Sequence, residues 1–268
     1  MTVAASRGLL DPLVAIARRA AGAILAIYEA GAASVTTKAD ATPLTEADLA
    51  AHRLIVAALA ELTPGTPVLS EESVETPFAA RRTWERYWLV DPLDGTREFL
   101  SRNGEFTVNI ALIEDHAPAL GVVHVPVTGI SYFGAVGQGA WRQSAAQAPQ
   151  SIRVAERSAS PLRVAGSRSH RGASLDSFLA RVGEHVLLEM GSSLKFCLVA
   201  EGAADVYPRL GPTCEWDTAA AHAVLSAAGG TVRDLDGAPL QYNARPEVKN
   251  PFFVAYGPRD YDWVALLR

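Results

Sequence analysis

The chain has 268 residues and a mass of 28.4 kDa, enough for one large or two intimate domains that bury about three-quarters of the unfolded surface. Its 49% hydrophobic and 20% charged residues are an ordinary globular composition, which excludes a disordered or fibrous chain. Against 29 Asp and Glu stand 24 Lys and Arg, a net charge of -5. No basic excess drives general nucleic-acid binding, and an anionic substrate needs local cations or metal ions.

In chain order, apolar residues recur at Leu10, Leu13, Val14, Ala17, Ala21, Ile24 and Tyr28, the spacing of one helix face. Asp11-Pro12 is read as its cap and first position, and Gly31 as its stop. A second helix is predicted after Pro43, with Thr45 as N-cap; Leu54, Ile55, Ala58, Leu59 and Leu62 point inward, and Pro64-Gly65 ends it. Short apolar runs follow. Pro67–Leu69 leads into Glu71-Glu72, Tyr87–Val90 leads into Asp91, and Phe106, Val108, Ile110 and Leu112 alternate as in a strand. Residues 121–141, broken by Pro126, Gly129, Gly134 and Gly137, read as a meander of strands.

A Gln-, Ala- and Ser-rich stretch from Gln143 to Ser160 is the candidate boundary between an N-terminal α+β half (1–150) and a C-terminal α/β half (151–268) of one compact unit. Beyond it, strands at Leu162–Ala165 and His185–Met190 alternate with helices near 172–182, 192–201 and 217–228, which favours layered α/β architecture. Cys197 and Cys214 form no disulfide framework, and free thiols in a reducing compartment are expected. Asp11, Arg18 and Arg19 interrupt what would be the core of a signal peptide, and no run of 18 apolar residues occurs, so a cytoplasmic protein without a transmembrane segment is expected.

Carboxylates collect where apolar runs end, the place at which open α/β sheets hold ligands. Asp91-Pro92-Leu93-Asp94-Gly95-Thr96 is a shaped turn, because Pro92 fixes its own φ and Gly95 adopts backbone shapes closed to other residues. It can aim two carboxylates and the Leu93 carbonyl at one point, an all-oxygen set suited to Mg²⁺ and poor for zinc. Thr96 adds a hydroxyl able to hold a water, and the Gly95 and Thr96 amides can face a phosphate. Asp217 precedes an apolar helix, where a plain N-cap and a ligand carboxylate are both open readings. Asp48 pairs with Thr45 as a capping box with Asp in place of Glu; cap and catalytic service are compatible only through different oxygens.

Glu71-Glu72, Asp91–Thr96 and Trp216–Ala220 (WDTAA) together resemble the Mg²⁺-dependent, lithium-sensitive inositol monophosphatase superfamily. Within it, six longer motifs are similar to the bacterial 3'(2'),5'-bisphosphate nucleotidases: Thr37–Asp48, Pro67–Ser73, Tyr87–Thr96, Arg102–Leu112, Ser167–His170 and Gly191–Gly202. The resemblance implies a layered αβαβα sandwich of the inositol monophosphatase/fructose-1,6-bisphosphatase type. It implies hydrolysis of 3'-phosphoadenosine 5'-phosphate to AMP and phosphate, with the 5'-phosphosulfate as an alternative substrate and a place in sulfur metabolism. By motif position Glu71, Asp91, the Leu93 carbonyl, Asp94 and Asp217 would hold two or three Mg²⁺. Thr96 and Glu71 would orient the attacking water, with Asp48 as base. In-line attack by water needs no covalent phospho-enzyme. One departure from the pattern is Ala221, where the superfamily has Gly.

Substrate contacts implied by the resemblance are Glu71, Leu93, Asp94, Gly95, Thr96 and Asp217 around the phosphate, Ser169 and His170 near the nucleotide, and Ser193 and Lys195 near its phosphate or base. Without the resemblance, Ser167–His170 reads as a capped turn, Lys195 as a solvent-facing helix residue, and Trp84, Trp88 and Trp141 as core. Lys38, Arg97 and Arg102 could line the entrance, though exposed ion pairs account for them more simply. The rival functions are an inositol or sugar monophosphatase with the same metals, and a nucleotide-binding regulator without turnover. The absence of GxxxxGK[ST] removes a P-loop kinase. A monomer or homodimer acting on a small nucleotide is expected, with peripheral attachment to the inner membrane left open.

Overall fold

The structure is a computed structural model that describes residues 3–31, 35–37, 43–73, 76–144, 147–168 and 172–267. The N-terminal part runs α1 (Val3–Ala30), β1 (Val35–Thr37), β2 (Pro43–Thr45), α2 (Glu46–Leu62), β3 (Val68–Ser70), α3 (Phe78–Arg81), β4 (Arg86–Asp94), α4 (Thr96–Leu100), β5 (Thr107–Glu114), β6 (Ala117–Val125), β7 (Ile130–Ala135), β8 (Gly139–Gln143) and β9 (Gln150–Ile152). There follow β10 (Leu162–Ser167), α5 (Ala173–Val182), β11 (His185–Met190), α6 (Leu194–Ala200), β12 (Val206–Arg209), α7 (Glu215–Ala227), β13 (Thr231–Asp234) and β14 (Phe253–Tyr256).

Strands β3 to β9 form a seven-stranded sheet in chain order, parallel only at β3–β4. The second sheet has five strands in the order β11-β10-β12-β14-β13. Period-two alternation divides the large sheet between two cores. Trp88, Val90, Val108, Ile110 and Leu112 face α1 and α2, whereas Tyr87, Leu89, Ala111 and Ile113 face α6, α7 and the second sheet. A third core lies on the far side of that sheet, where Leu162, Val164 and Val206 meet Leu175, Phe178 and Leu179 of α5. The order of layers is thus α1/α2, seven strands, α6/α7, five strands, α5: an αβαβα sandwich.

Two local differences from the sequence reading have clear causes. Helix α1 starts nine residues before Pro12 rather than at it. Leu9 and Leu10 pack into the core and hold the turns ahead of the proline, so tertiary burial offsets the missing N–H. The soft stretch 143–160 contains a short edge strand, β9, paired with β8 through Trp141↔Ser151. Helix α7 lies close on the large sheet because β6 and β7 carry a cross-strand glycine pair beneath it, Gly121↔Gly134. A Cβ at Gly121 would sit 2.3 Å from the Ala220 carbonyl oxygen.

Candidate active site

Three chain segments bring the acids together. The parallel pairing Ser70↔Val90 sets Glu71 level with Asp91 at the adjoining strand end. In β4, Asp91 pairs with Asn109 and Asp94 with Thr107, so Pro92 and Leu93 bulge opposite Val108 alone. That bulge takes the Leu93 backbone out of the ladder and turns the chain into Gly95, whose φ of 92° is left-handed, before α4 begins at Thr96. Helix α7 then delivers Asp217 in its first turn.

Carboxylate oxygens of Glu71, Asp91 and Asp217 lie within 4.8 Å of one another. Each aspartate of the site commits one oxygen to a backbone amide. Asp91 Oδ1 accepts from Leu93 at 3.0 Å, Asp94 Oδ2 from Ser193 at 2.6 Å, and Asp217 Oδ2 from Cys214 at 2.9 Å. These bonds fix the rotamers and leave each second oxygen for another partner.

The electrostatics of the acid cluster taken by itself are unfavourable. Burial first, then Glu71, Asp94, Asp217 and Asp48, holds Asp91 well above the ordinary carboxylate range. Burial and then Asp94 push Asp217 up to about 8. Burial raises Asp94 to about 6, with Lys195 and the Ser193 amide pulling the other way. A hard divalent cation would reverse this repulsion, and the donors on hand are all oxygens. The residues therefore fit a site for a hard divalent cation.

Asp48 is buried and caps α2: its Oδ2 accepts from the Thr45 amide at 2.8 Å and the Thr45 hydroxyl at 2.5 Å. Strand β2, which carries Thr45, packs on α4, the helix that begins at Thr96, and Asp48 itself lies outside the cavity lining. Thr96, Leu93, Gly95 and the acids Glu71, Asp91, Asp94 and Asp217 all line one cavity of about 290 Å³. On its other wall Lys195 is 5% exposed rather than solvent-facing, bonded to the Ser192 carbonyl and, at 3.3 Å, the Met190 carbonyl, with its Nζ over the Tyr207 ring. Burial lowers its pKa to about 8 although Asp94 opposes this. Ser193 also lines the cavity, but its hydroxyl is engaged with Asn109 Oδ1 at 2.9 Å and Thr107 Oγ1 at 3.0 Å. Ser169, His170 and Lys38 lie outside the described residues.

Sequence reasoning missed Ser192, Tyr207 and Arg209 on the cavity wall. Ser192 Oγ and Arg209 Nε are buried without a hydrogen-bond partner among the described residues. The available signals were a cation at the end of a strand before Gly211-Pro212, and a second serine beside Ser193 ahead of α6. A smaller cleft of about 170 Å³ adjoins the first, sharing Ser167, Tyr207, Arg209 and Pro212 and adding Leu175, Pro208 and Leu210. Arg97, an exposed side chain for which an ion pair was the simpler account, is among the residues lining the cavity. Arg102 does not; it donates to the Tyr28 carbonyl at 2.5 Å and lies over the Tyr28 ring. Trp88 is fully buried, Trp84 and Trp141 pack against the cores, and none is a base platform.

A family model described as the inositol monophosphatase family matches residues 7–255. The chain is 51% identical over 246 residues, 91% of its length and 98% of the relative's, to a protein of Escherichia coli O157:H7 named 3'(2'),5'-bisphosphate nucleotidase CysQ. The crystal structure of CysQ from Bacteroides thetaiotaomicron superposes with a TM-score of 0.80 at 42% identity, covering 93% of this chain and 98% of that one. An inositol monophosphatase structure from Thermotoga maritima superposes at 0.77 over 96% of this chain and 95% of its own, with 24% identity, and shares the fold. The chain belongs to the inositol monophosphatase family.

Proposed function

We propose that this chain is a Mg²⁺-dependent 3'(2'),5'-bisphosphate nucleotidase that hydrolyses 3'-phosphoadenosine 5'-phosphate to AMP and phosphate. The observation that carries the reading is a single cavity lined both by the acid cluster and by the cations Arg97, Lys195 and Arg209. A substrate with two phosphates matches a site holding both kinds of charge, and the relative at 51% identity is named a 3'(2'),5'-bisphosphate nucleotidase.

Glu71, Asp91, the Leu93 carbonyl, Asp94 and Asp217 would hold two or three Mg²⁺. When bound, these ions polarise the phosphate and lower the pKa of nearby water. Thr96 and Glu71 orient the water for in-line attack, and Asp48 receives its proton. The new bond forms between water oxygen and phosphorus as the bond to the ribose 3'-oxygen breaks, and that oxygen takes a proton from solvent water to leave as the 3'-hydroxyl of AMP. Lys195, Arg209 and the Ser192 hydroxyl neutralise and orient the 5'-phosphate, and the adjoining cleft with Leu175, Pro208 and Leu210 takes the base. Residues 1–150 and 151–268 act here as one unit, the first half providing most of the acids and the second Asp217 and the cations. Cys197 and Cys214 form no disulfide among the described residues, which suits a cytoplasmic setting. No helix among the described residues is long and apolar enough to cross a membrane.

The test is a phosphate-release panel over the adenosine bisphosphate, its phosphosulfate analogue and inositol phosphates, with Mg²⁺, with chelator and with added Li⁺. Mg²⁺-dependent, Li⁺-inhibited release that is fastest on the bisphosphate is expected. A preference for inositol phosphates would overturn the substrate assignment.

A further inference from the structure

The Arg102–Leu112 motif contains one acid, Glu105, that the mechanism does not use. It lies in the loop between α4 and β5, beside the metal-site turn but outside the cavity lining. Its carboxylate takes a paired set of bonds from Arg168, Nε to Oε2 at 2.9 Å and Nη2 to Oε1 at 2.8 Å. Oε2 also accepts from the Gly191 amide at 2.7 Å. Arg168 donates further to the Glu189 carbonyl at 2.9 Å.

These bonds join three segments from two halves of the chain. Arg168 follows the last residue of β10, Ser167, which lines the cavity. Gly191 opens the turn that presents Ser192 and Lys195. The turn has little slack: Ser192 holds a left-handed φ of 45°. A Cβ at Gly191 would meet the Glu105 carbonyl oxygen at 2.7 Å, and one at Gly95 would meet the same oxygen and Ser192 Cβ at 3.3 Å. A planar guanidinium in a two-point bond with a carboxylate fixes orientation as well as distance. The Asp94 end of the turn is anchored separately, through Ser193 to Asn109 and Thr107.

We propose that Glu105 is a positioning residue for nucleotide specificity: its bonds to Arg168 and Gly191 set the Ser167 and Ser192–Lys195 wall at a fixed distance from the metal-site turn. The inference rests on the bisphosphate-nucleotidase reading and names a determinant of its specificity. Loss of the clasp frees the wall that receives the nucleotide and leaves the acid cluster in place.

The experiment compares E105A, E105Q, R168A and the E105A/R168A double variant on the adenosine 3',5'-bisphosphate and on inositol 1-phosphate, a monoester without base or second phosphate. For E105A the KM of the bisphosphate should rise about tenfold, as for loss of a charge-assisted bond, with kcat and inositol phosphate turnover within about twofold. E105Q, which keeps an acceptor for Gly191, should fall between E105A and wild type. The double variant should be little worse than E105A, because both members act through one contact. Equal losses on both substrates, or additive losses in the double variant, would overturn the inference. A wild-type enzyme that does not turn over the bisphosphate would instead sink the functional reading. Thermal melting of each variant supplies the control: a KM effect that tracks the loss of melting temperature across all four variants also counts against a positioning role.

Discussion

Replacing Asp217 by Asn tests the electrostatic account of the acid cluster without any catalytic assay. The oxygens of Glu71, Asp91 and Asp217 lie within 4.8 Å of one another. Two unit charges at that distance repel by roughly 3–4 kcal/mol at an effective dielectric constant of about 20. The folded Asp217, with its pKa near 8, keeps a proton that the unfolded chain has released above about pH 4. Between those values the native state binds more protons than the unfolded state, so stability falls as pH rises, and the full penalty is present only above about pH 8. An amide is uncharged at every pH and can still accept the Cys214 N–H bond. In chelator, D217N should therefore melt close to wild type near about pH 5 and above it, by up to roughly 10 °C, near about pH 9, since ~1 kcal/mol shifts Tm by about 2–4 °C in a chain of this size. With saturating Mg²⁺ the order should invert, because only wild type gains ligand-linked stability. Scanning fluorimetry across pH, with chelator and with Mg²⁺, reads both effects. A D217N protein that melts below wild type at high pH in chelator, or that keeps the Mg²⁺-induced rise, refutes the reasoning.

Three further outcomes rest on the same geometry. K195A should raise the KM of the adenosine bisphosphate by about 10- to 100-fold, the loss of a charged hydrogen bond, and change that of inositol phosphate far less; steady-state kinetics on both substrates decide it. In wild type that KM should climb above about pH 8, as Lys195 loses its proton there. G121A should destabilise the fold by about 1–3 kcal/mol in urea, because the new methyl meets the Ala220 backbone and not a flexible side chain. Since α7 must lift, its Mg²⁺ affinity should also drop, and an unchanged midpoint with unchanged Mg²⁺ titration would refute this account of the helix seat.

What could be read in the sequence was whatever depends on local pattern. The helix face of α2, its Thr45 cap and the alternation in β5 are each set within ten residues, and each stands as expected. The turn Asp91–Thr96 was legible because proline and glycine restrict the backbone before any tertiary contact forms. Pro12 was misleading, since its cost is offset by the burial of Leu9 and Leu10, which no local rule contains. The exposure of Lys195 was equally invisible: its helix is only seven residues long, and its burial comes from Tyr207 on the neighbouring strand. The choice between N-cap and ligand for Asp217 dissolves for a related reason, as one oxygen caps α7 and the other remains for the cavity.

Acids that repel one another must be held by something stronger, and the structure shows what holds the start of α7. Glu215, wholly buried, accepts the Asn243 amide through both oxygens, at 2.9 and 2.8 Å. Asn243 takes a left-handed φ of 55°, donates to the Arg81 carbonyl at 2.6 Å and receives the Arg81 guanidinium on its own Oδ1. Arg81 also binds the Pro246 carbonyl, so a single buried cation ties α3 to the segment that clamps α7. Further along the helix, Thr218 and His222 share the Tyr242 hydroxyl at 3.2 and 2.9 Å. Breaking one partner of such a network leaves a buried polar group unpaired, at a cost of several kcal/mol. That is comparable to the repulsion of roughly 3–4 kcal/mol per pair estimated for the cluster. The hydrogen-bonded frame under α7 therefore offsets the repulsion that Asp217 meets beside Glu71 and Asp91, and a cluster held in place loses less ordering entropy on binding a cation than a loose one.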